Sequence, residues 1–208
     1  MSIFEHIAKL KVVPVIAIES PDAALSLADA LIEGGLPIAE ITFRTEAATA
    51  VIRKMSQERP DLLVGAGTIL THDNLKAAID SGATFGVAPG CNPKIIEAAQ
   101  KMNFPFVPGV CTPSDVEAAL SHGCKVLKFF PAGAMGGLDM LKSLTAPYGH
   151  TGVRFMPTGG VSPTNLNEYL ATKGVIACGG TWIATKDDIA GEKWELITSR
   201  CRKVAMLV

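Results

Sequence analysis

The sequence predicts an α/β fold, a (β/α)8 barrel formed as one domain over residues 1–208 with an extra helix at its N-terminus. Three observations carry that prediction. Short apolar runs, each closed by Gly, Pro, Ser or Thr, alternate along the chain with Ala/Leu/Glu/Lys-rich amphipathic stretches, the pattern of parallel strands joined by crossover helices. About eight such units fill the 208 residues, which leaves little room for insertions. Polar residues recur at the C-terminal ends of the runs all along the chain. A doubly wound open sheet, which the same alternation permits, gathers its site around one switch point instead. With 48% hydrophobic residues the chain can bury a sizeable core, and no linker interrupts it.

The elements follow in order. "SIFEHIAKL" is a leading helix that covers the barrel bottom, and "VVPVIAI" is the first strand. That run follows lysines, as a signal peptide core does, but Pro14 interrupts it and it ends at Glu19 without a small-residue cleavage site. It is also far below the roughly 18 apolar residues of a membrane span. "SPDAALSLADALIEGG" opens on a Ser-Pro cap and first-turn pair and closes on glycine. "IAEITF", "LLVGAG", "TFGVAPG", "FPFVPGV" and "KVLKFF" are the next strands, separated by "RTEAATAVIRKMSQERP", "THDNLKAAIDSG", "CNPKIIEAAQKM" and "TPSDVEAALSHG". "RFMPTGG", "SPTNLNEYLATKG" and "VIACGGTW" complete the alternation, and "KWELITSRCRKVAML" is the last outer helix. The helices beginning Thr71, Thr112 and Ser162 each start on a hydroxyl residue and stop on glycine.

Composition excludes several functions. A net charge of −1, from 19 basic and 20 acidic side chains without like-charge runs, leaves no footprint for nucleic acid or an anionic membrane. Five scattered cysteines without a CxxC pair argue for reduced thiols in a cytoplasmic protein, not a disulfide scaffold or structural zinc site. Cys91 and Cys111 fall near the barrel mouth, but no histidine stands ready to activate them, so they read as small packing residues. His6, His72, His122 and His150 show neither HxH nor HExxH spacing, so neither a metal nor another cofactor is expected.

In barrels, reactive side chains project from strand C-terminal ends and the loops beyond them. In "IAEITFR", Ala39, Ile41 and Phe43 alternate with Glu40, Thr42 and Arg44. One face therefore suits the helix layer, and the other carries a carboxylate, a hydroxyl and a guanidinium. A solvated edge strand would explain this pattern, but a closed barrel has no edges. In "KVLKFFPA", Val126, Lys128 and Phe130 share one face, with Lys125, Leu127 and Phe129 on the other. Facing the axis, Glu40 and Lys128 are partners across the barrel, since an inward lysine without a counter-charge costs several kcal/mol. A structural ion pair is one use of the two. The chemical use is a free amine, partly desolvated and near Arg44, that attacks carbonyls to form a Schiff base while the carboxylate takes and returns protons. Lys125, out of phase, reaches solvent.

Further groups stand at other strand ends. "GAGT" supplies the Thr68 hydroxyl, and Gly65 and Gly67 let a ligand approach the backbone. The paired glycines of "PTGGVSPTN" and "CGGTW" follow the last two strands, where barrel enzymes hold phosphate. Backbone N–H groups of Gly159, Gly160, Gly179 and Gly180, with the Ser162 or Thr181 hydroxyl, would then hold a phosphate without a basic side chain. Ordinary tight turns explain a single Gly-Gly equally well.

The stretches "EITFRT", "GAGTI", "FGVAPG", "PGVCTPS", "LKFFPA", "MPTGGVSP" and "CGGTW", in order from Val12 to Trp182, resemble the bacterial 2-dehydro-3-deoxy-6-phosphogluconate aldolases, which overlap with the 4-hydroxy-2-oxoglutarate aldolases. The resemblance implies a class I aldolase on a TIM barrel, a homotrimer without cofactor, that yields pyruvate and glyceraldehyde 3-phosphate in the Entner–Doudoroff pathway. It implies Lys128 as the Schiff-base residue and Glu40 as the general acid/base. Arg44 and Thr68 hold the pyruvate carboxylate, Pro89 and Phe130 line the pyruvyl pocket, and Thr158 sets stereochemical preference. Gly159, Gly160 and Thr181 face the phosphate. Gly133 stands where the family often has glutamate, Thr181 where it has serine, and "VAPG" replaces "VSPG".

Rival readings are a metal-dependent aldolase, a non-catalytic sugar-phosphate or pyruvate sensor, and an aldolase for the galactonate-derived epimer. The first lacks ligand spacing, the second is at odds with the lysine, glutamate and arginine together, and Arg44 in "TFRT" favours the gluconate type over the third.

Overall fold

A computed structural model describes residues 2–207. The chain opens with helix α1 (Ile3–Leu10) and strand β1 (Val12–Ile16), then runs α2 (Ala24–Glu33), β2 (Ile38–Thr42), α3 (Ala48–Glu58), β3 (Leu63–Gly67), α4 (His72–Asp80) and β4 (Phe85–Val87). It continues through α5 (Pro93–Lys101), β5 (Phe106–Val107), β6 (Gly109–Val110), α6 (Pro113–Ser121), β7 (Val126–Phe129), α7 (Gly137–Tyr148), β8 (Arg154–Phe155), α8 (Leu166–Ala171), β9 (Cys178–Gly180), α9 (Lys186–Ala190) and α10 (Trp194–Ala205).

All strand pairs are parallel. One sheet has the order β5-β4-β3-β2-β1-β9, and β6-β7-β8 form a second. The two meet twice. Residues 106–110 are one extended stretch interrupted by Pro108, paired to β4 on one side through β5 and to β7 on the other through β6. Single bridges join Phe155 to Val175 and Thr158 to Gly179, which bring β8 beside the approach to β9. The fold is thus α/β with a curled parallel sheet. Buried apolar residues from Ile7 to Val204 make one continuous core, and α10, α2, α3, α4 and α5 pack in succession around it. Among the described residues no helix is long and apolar enough to cross a membrane.

Local chemistry explains the elements. Ser2 and Glu5 form a reciprocal cap on α1, Thr112 and Asp115 another on α6, and Thr71 caps α4. Ser20 caps a 3₁₀ turn at Pro21–Ala23 that leads into α2. Two expectations are corrected. The helix anticipated from Ser162 begins only at Leu166, because the Asn165 amide is engaged with Gly160 and Ser162. Helix α7 was not anticipated: glycines 133 and 136 precede it, Gly137 opens it and Pro147 lies inside it, each a signal that reads as loop.

Candidate active site

Glu40 lies in the middle of β2 and Lys128 near the end of β7, four strand steps apart through β3, β4 and the 106–110 stretch. In a flat sheet, steps of about 4.8 Å would separate them by about 19 Å. Their side chains touch: Lys128 Nζ donates to Glu40 Oε1 at 3.2 Å, with Lys128 5% exposed and Glu40 fully buried. Curling the sheet converts two distant strand positions into one buried ion pair. Glu40 Oε2 is also buried and has no hydrogen-bond partner among the described residues, an expensive arrangement for a group with no other task.

The surroundings are built around that pair. Lys128 Nζ lies 5.3 Å from the centroid of the Phe130 ring. A Cβ on Gly67 would sit 2.3 Å from Glu40 Oε1, and one on Gly65 would sit 2.2 Å from Phe85 Cζ. These two glycines make room for a carboxylate and an aromatic ring of the protein itself, a use that the reading of "GAGT" did not identify. Gly109, the register partner of Lys128, passes so close to Pro89 that a Cβ there would meet the Pro89 carbonyl at 2.2 Å. Pro89 is therefore adjacent to the lysine strand.

Arg44 and Thr68 leave adjacent strand ends, tied by the Phe43 N–H donating to the Gly67 carbonyl at 2.9 Å. Thr68 has φ +59, the left-handed region, where a β-branched residue is disfavoured by about 1–2 kcal/mol. Such strain is characteristic of functional positions. Arg44 Nε donates to Thr42 Oγ1 at 3.1 Å, and buried Thr42 Oγ1 donates to the Ile16 carbonyl at 2.8 Å. Thr42 thus aims the guanidinium, a role that the alternation of "EITFR" placed on the correct face without identifying.

Thr158 is buried beside Gly179, and a Cβ there would lie 2.2 Å from Thr158 Oγ1. Gly159 and Gly160 have φ +85 and +86 and form a turn next to the Phe130 ring. The Gly179 N–H donates to the Pro157 carbonyl at 2.8 Å, so Gly179 has no amide to offer a phosphate, which corrects that expectation. Gly180 is covered by the Trp182 indole, while Thr181 is exposed. Helix α8 has only six residues, so the turn's own amides, not a helix terminus, are what it presents.

The remaining reactive side chains lie elsewhere. All five cysteines are free thiols. Burial pushes the Cys178 and Cys201 thiols up to about 12 and Cys124 up to about 11, as expected for inert packing residues. His6, His72 and His150 are exposed, and His122 sits 3.4 Å from Glu97. Among the described residues no three His, Cys, Asp or Glu side chains cluster as metal ligands. An open groove of about 1010 Å³ between α7 and α8, lined by Lys142, His150, Arg154 and Lys173, contains none of the site residues.

Comparisons with known proteins agree on one family. The sequence model described as "KDPG and KHG aldolase" matches residues 3–200. The 2-dehydro-3-deoxy-phosphogluconate aldolase of Haemophilus influenzae is 46% identical over 206 residues, covering 99% of this chain and 96% of that protein. A crystal structure of KDPG aldolase from Legionella pneumophila, with pyruvate captured as a covalent carbinolamine, superposes with a TM-score of 0.93 at 37% identity, over 98% of both chains. The Zymomonas mobilis enzyme with 3-phosphoglycerate gives 0.91 at 34% identity, over 99% of this chain and 96% of that one.

Proposed function

The chain belongs to the KDPG and KHG aldolase family, and from that premise we propose that it cleaves 2-dehydro-3-deoxy-6-phosphogluconate to pyruvate and glyceraldehyde 3-phosphate through a Schiff base on Lys128. The observation that carries this reading is the buried Lys128–Glu40 contact of 3.2 Å, with the second carboxylate oxygen unpartnered. Arg44, oriented by Thr42, and Thr68 seat the substrate carboxylate. Glu40 takes the proton that the Lys128 amine sheds, and the amine attacks C2. The resulting carbinolamine loses water with a proton returned by Glu40, leaving an iminium. Glu40 then removes the C4 hydroxyl proton. The C4 carbonyl forms as the C3–C4 electron pair moves into the iminium, giving an enamine and releasing the aldehyde. Glu40 returns its proton to C3, and water hydrolyses the pyruvate iminium to free Lys128. Each positioned proton transfer contributes roughly 10²–10⁴ in rate.

On the same reading Pro89 and Phe130 wall the pyruvyl group, Thr158 contacts the hydroxyl-bearing carbon, and Gly159, Gly160 and Thr181 face the phosphate. 4-Hydroxy-2-oxoglutarate, which has no phosphate, is a second substrate. The sheet contacts at Pro108 and between Thr158 and Gly179 support a closed (β/α)8 barrel formed as one domain. A cytoplasmic homotrimer completes the proposal, with five free thiols as support for the compartment and light scattering as the check on assembly.

Borohydride with pyruvate tests the chemistry: the wild type gains one pyruvyl mass on Lys128. Lys128→Ala loses adduct and turnover. Lys125→Ala keeps both, since Lys125 is exposed and only donates to the Thr151 carbonyl at 3.1 Å. An active wild type without the adduct would sink the Schiff-base mechanism.

A further inference from the structure

In the turn at residues 158–162, three successive carbonyls are each held by a donor. The Thr158 carbonyl accepts from the Ala132 N–H at 2.8 Å and the Gly159 carbonyl from the Gly133 N–H at 2.7 Å. The Gly160 carbonyl accepts from Asn165 Nδ2 at 3.0 Å. The same Asn165 side chain accepts from the Ser162 N–H at 2.8 Å through Oδ1, so one amide bridges both ends of the Gly160–Ser162 segment.

A trans peptide plane points its C=O and the following N–H in opposite directions. Fixing the Gly159 carbonyl on Gly133 therefore directs the Gly160 N–H the other way. Fixing the Gly160 carbonyl on Asn165 does the same for the Val161 N–H. Neither of these two N–H groups has an acceptor among the described residues. Both glycines have positive φ, so this pair of adjacent peptides can rotate readily once a carbonyl is released. Gly133 also packs flat on the turn, because a Cβ on Gly160 would come within 2.9 Å of the Gly133 Cα.

We infer that Asn165 is a positioning residue for the substrate phosphate: by holding the Gly160 carbonyl it turns the Val161 N–H toward the phosphate, beside the Gly160 N–H that the Gly133 contact directs. This rests on reading the Gly159–Gly160 turn as the phosphate seat. Asn165 touches neither the Lys128–Glu40 pair nor the residues assigned to the pyruvate carboxylate, so its contribution falls on one end of the substrate only. Gly133 serves the neighbouring peptide through its own backbone N–H, which holds the Gly159 carbonyl.

The test uses the full chain and two readouts. Asn165→Ala removes both hydrogen bonds, and Asn165→Asp keeps the acceptor for Ser162 while losing the donor to Gly160. Both variants are expected to raise KM for 2-dehydro-3-deoxy-6-phosphogluconate by about tenfold, the worth of one well-placed hydrogen bond, with kcat within about twofold. Half-saturation of borohydride trapping by pyruvate at Lys128 should match the wild type, which a general loss of packing would not allow. Inorganic phosphate should compete with the phosphorylated substrate in the wild type and more weakly in both variants. Equal effects on KM and on pyruvate trapping, or no effect on KM, overturn the role of Asn165. Absence of phosphate competition in an active wild type overturns the phosphate seat itself, and absence of pyruvate trapping in the wild type overturns the aldolase reading beneath both.

Discussion

A Cβ built on Gly67 would lie 2.3 Å from Glu40 Oε1 and 2.8 Å from its Cγ, so an alanine there has to push aside a fully buried carboxylate. Gly67→Ala is expected to leave the fold in place and to lower kcat by about 10²-fold or more, because a misplaced proton-transfer group forfeits most of its rate contribution. Steady-state kinetics alongside circular dichroism check this; wild-type kcat with a normal spectrum would refute the packing argument. The same residues mark how far side-chain pattern is informative. Alternation put Glu40, Thr42 and Arg44 on one face of β2 and Lys128 on the inner face of β7, since strand geometry allows little else. It did not reveal that Gly65 and Gly67 are glycines for the benefit of Phe85 and Glu40, because that depends on what the neighbouring strands carry, Phe85 opposite Gly65 and Glu40 two residues before Thr42, the partner of Gly67.

Among the elements, α9 and α10 show how a short segment after the last strand is held. Buried Asp188 accepts from Thr185 Oγ1 at 2.6 Å and from Arg200 Nη1 at 2.5 Å, linking the start of α9 to the middle of α10. The Thr185 hydroxyl, then the Arg200 guanidinium, hold the Asp188 carboxyl at about 2, below its ordinary 3.8. A carboxylate with a depressed folded-state pKa contributes stability that is complete above about pH 4 and is lost as pH falls through about 2. Thermal melts should therefore show the wild type losing stability over that window. Asp188→Asn should be less stable at neutral pH, with a flatter profile through the acid window. Parallel profiles would mean that Asp188 is not the titrating group. Caps made most helices legible, as Thr71 and Thr112 do for α4 and α6. Helix α7 was hidden because tertiary packing of Leu141 and Leu144 outweighs its glycine-rich entry and internal proline.

At the scale of the whole molecule, the curled sheet is joined across β8 and β9 by single bridges, one of them between Thr158 and Gly179. A Cβ on Gly179 would lie 2.2 Å from Thr158 Oγ1 and 2.8 Å from its Cγ2, so Gly179→Ala forces the seam apart. The expected cost is about 1–3 kcal/mol, the usual range for overpacking. Thr158→Ala in the same chain should recover part of it, measured by denaturant unfolding as a double-mutant cycle. Additive losses would place the clash elsewhere. By itself the sequence determined most of the succession of strands and helices, α7 excepted, and the shared face of Glu40, Thr42 and Arg44 on β2, because hydrophobic period, caps and side-chain alternation are local properties. Only the tertiary structure decided that Glu40 and Lys128 meet at 3.2 Å, that the Gly179 amide is already bonded to Pro157, and that Asn165 grips the glycine turn. Those depend on sheet curl and peptide-plane direction, which are set by neighbours distant in sequence.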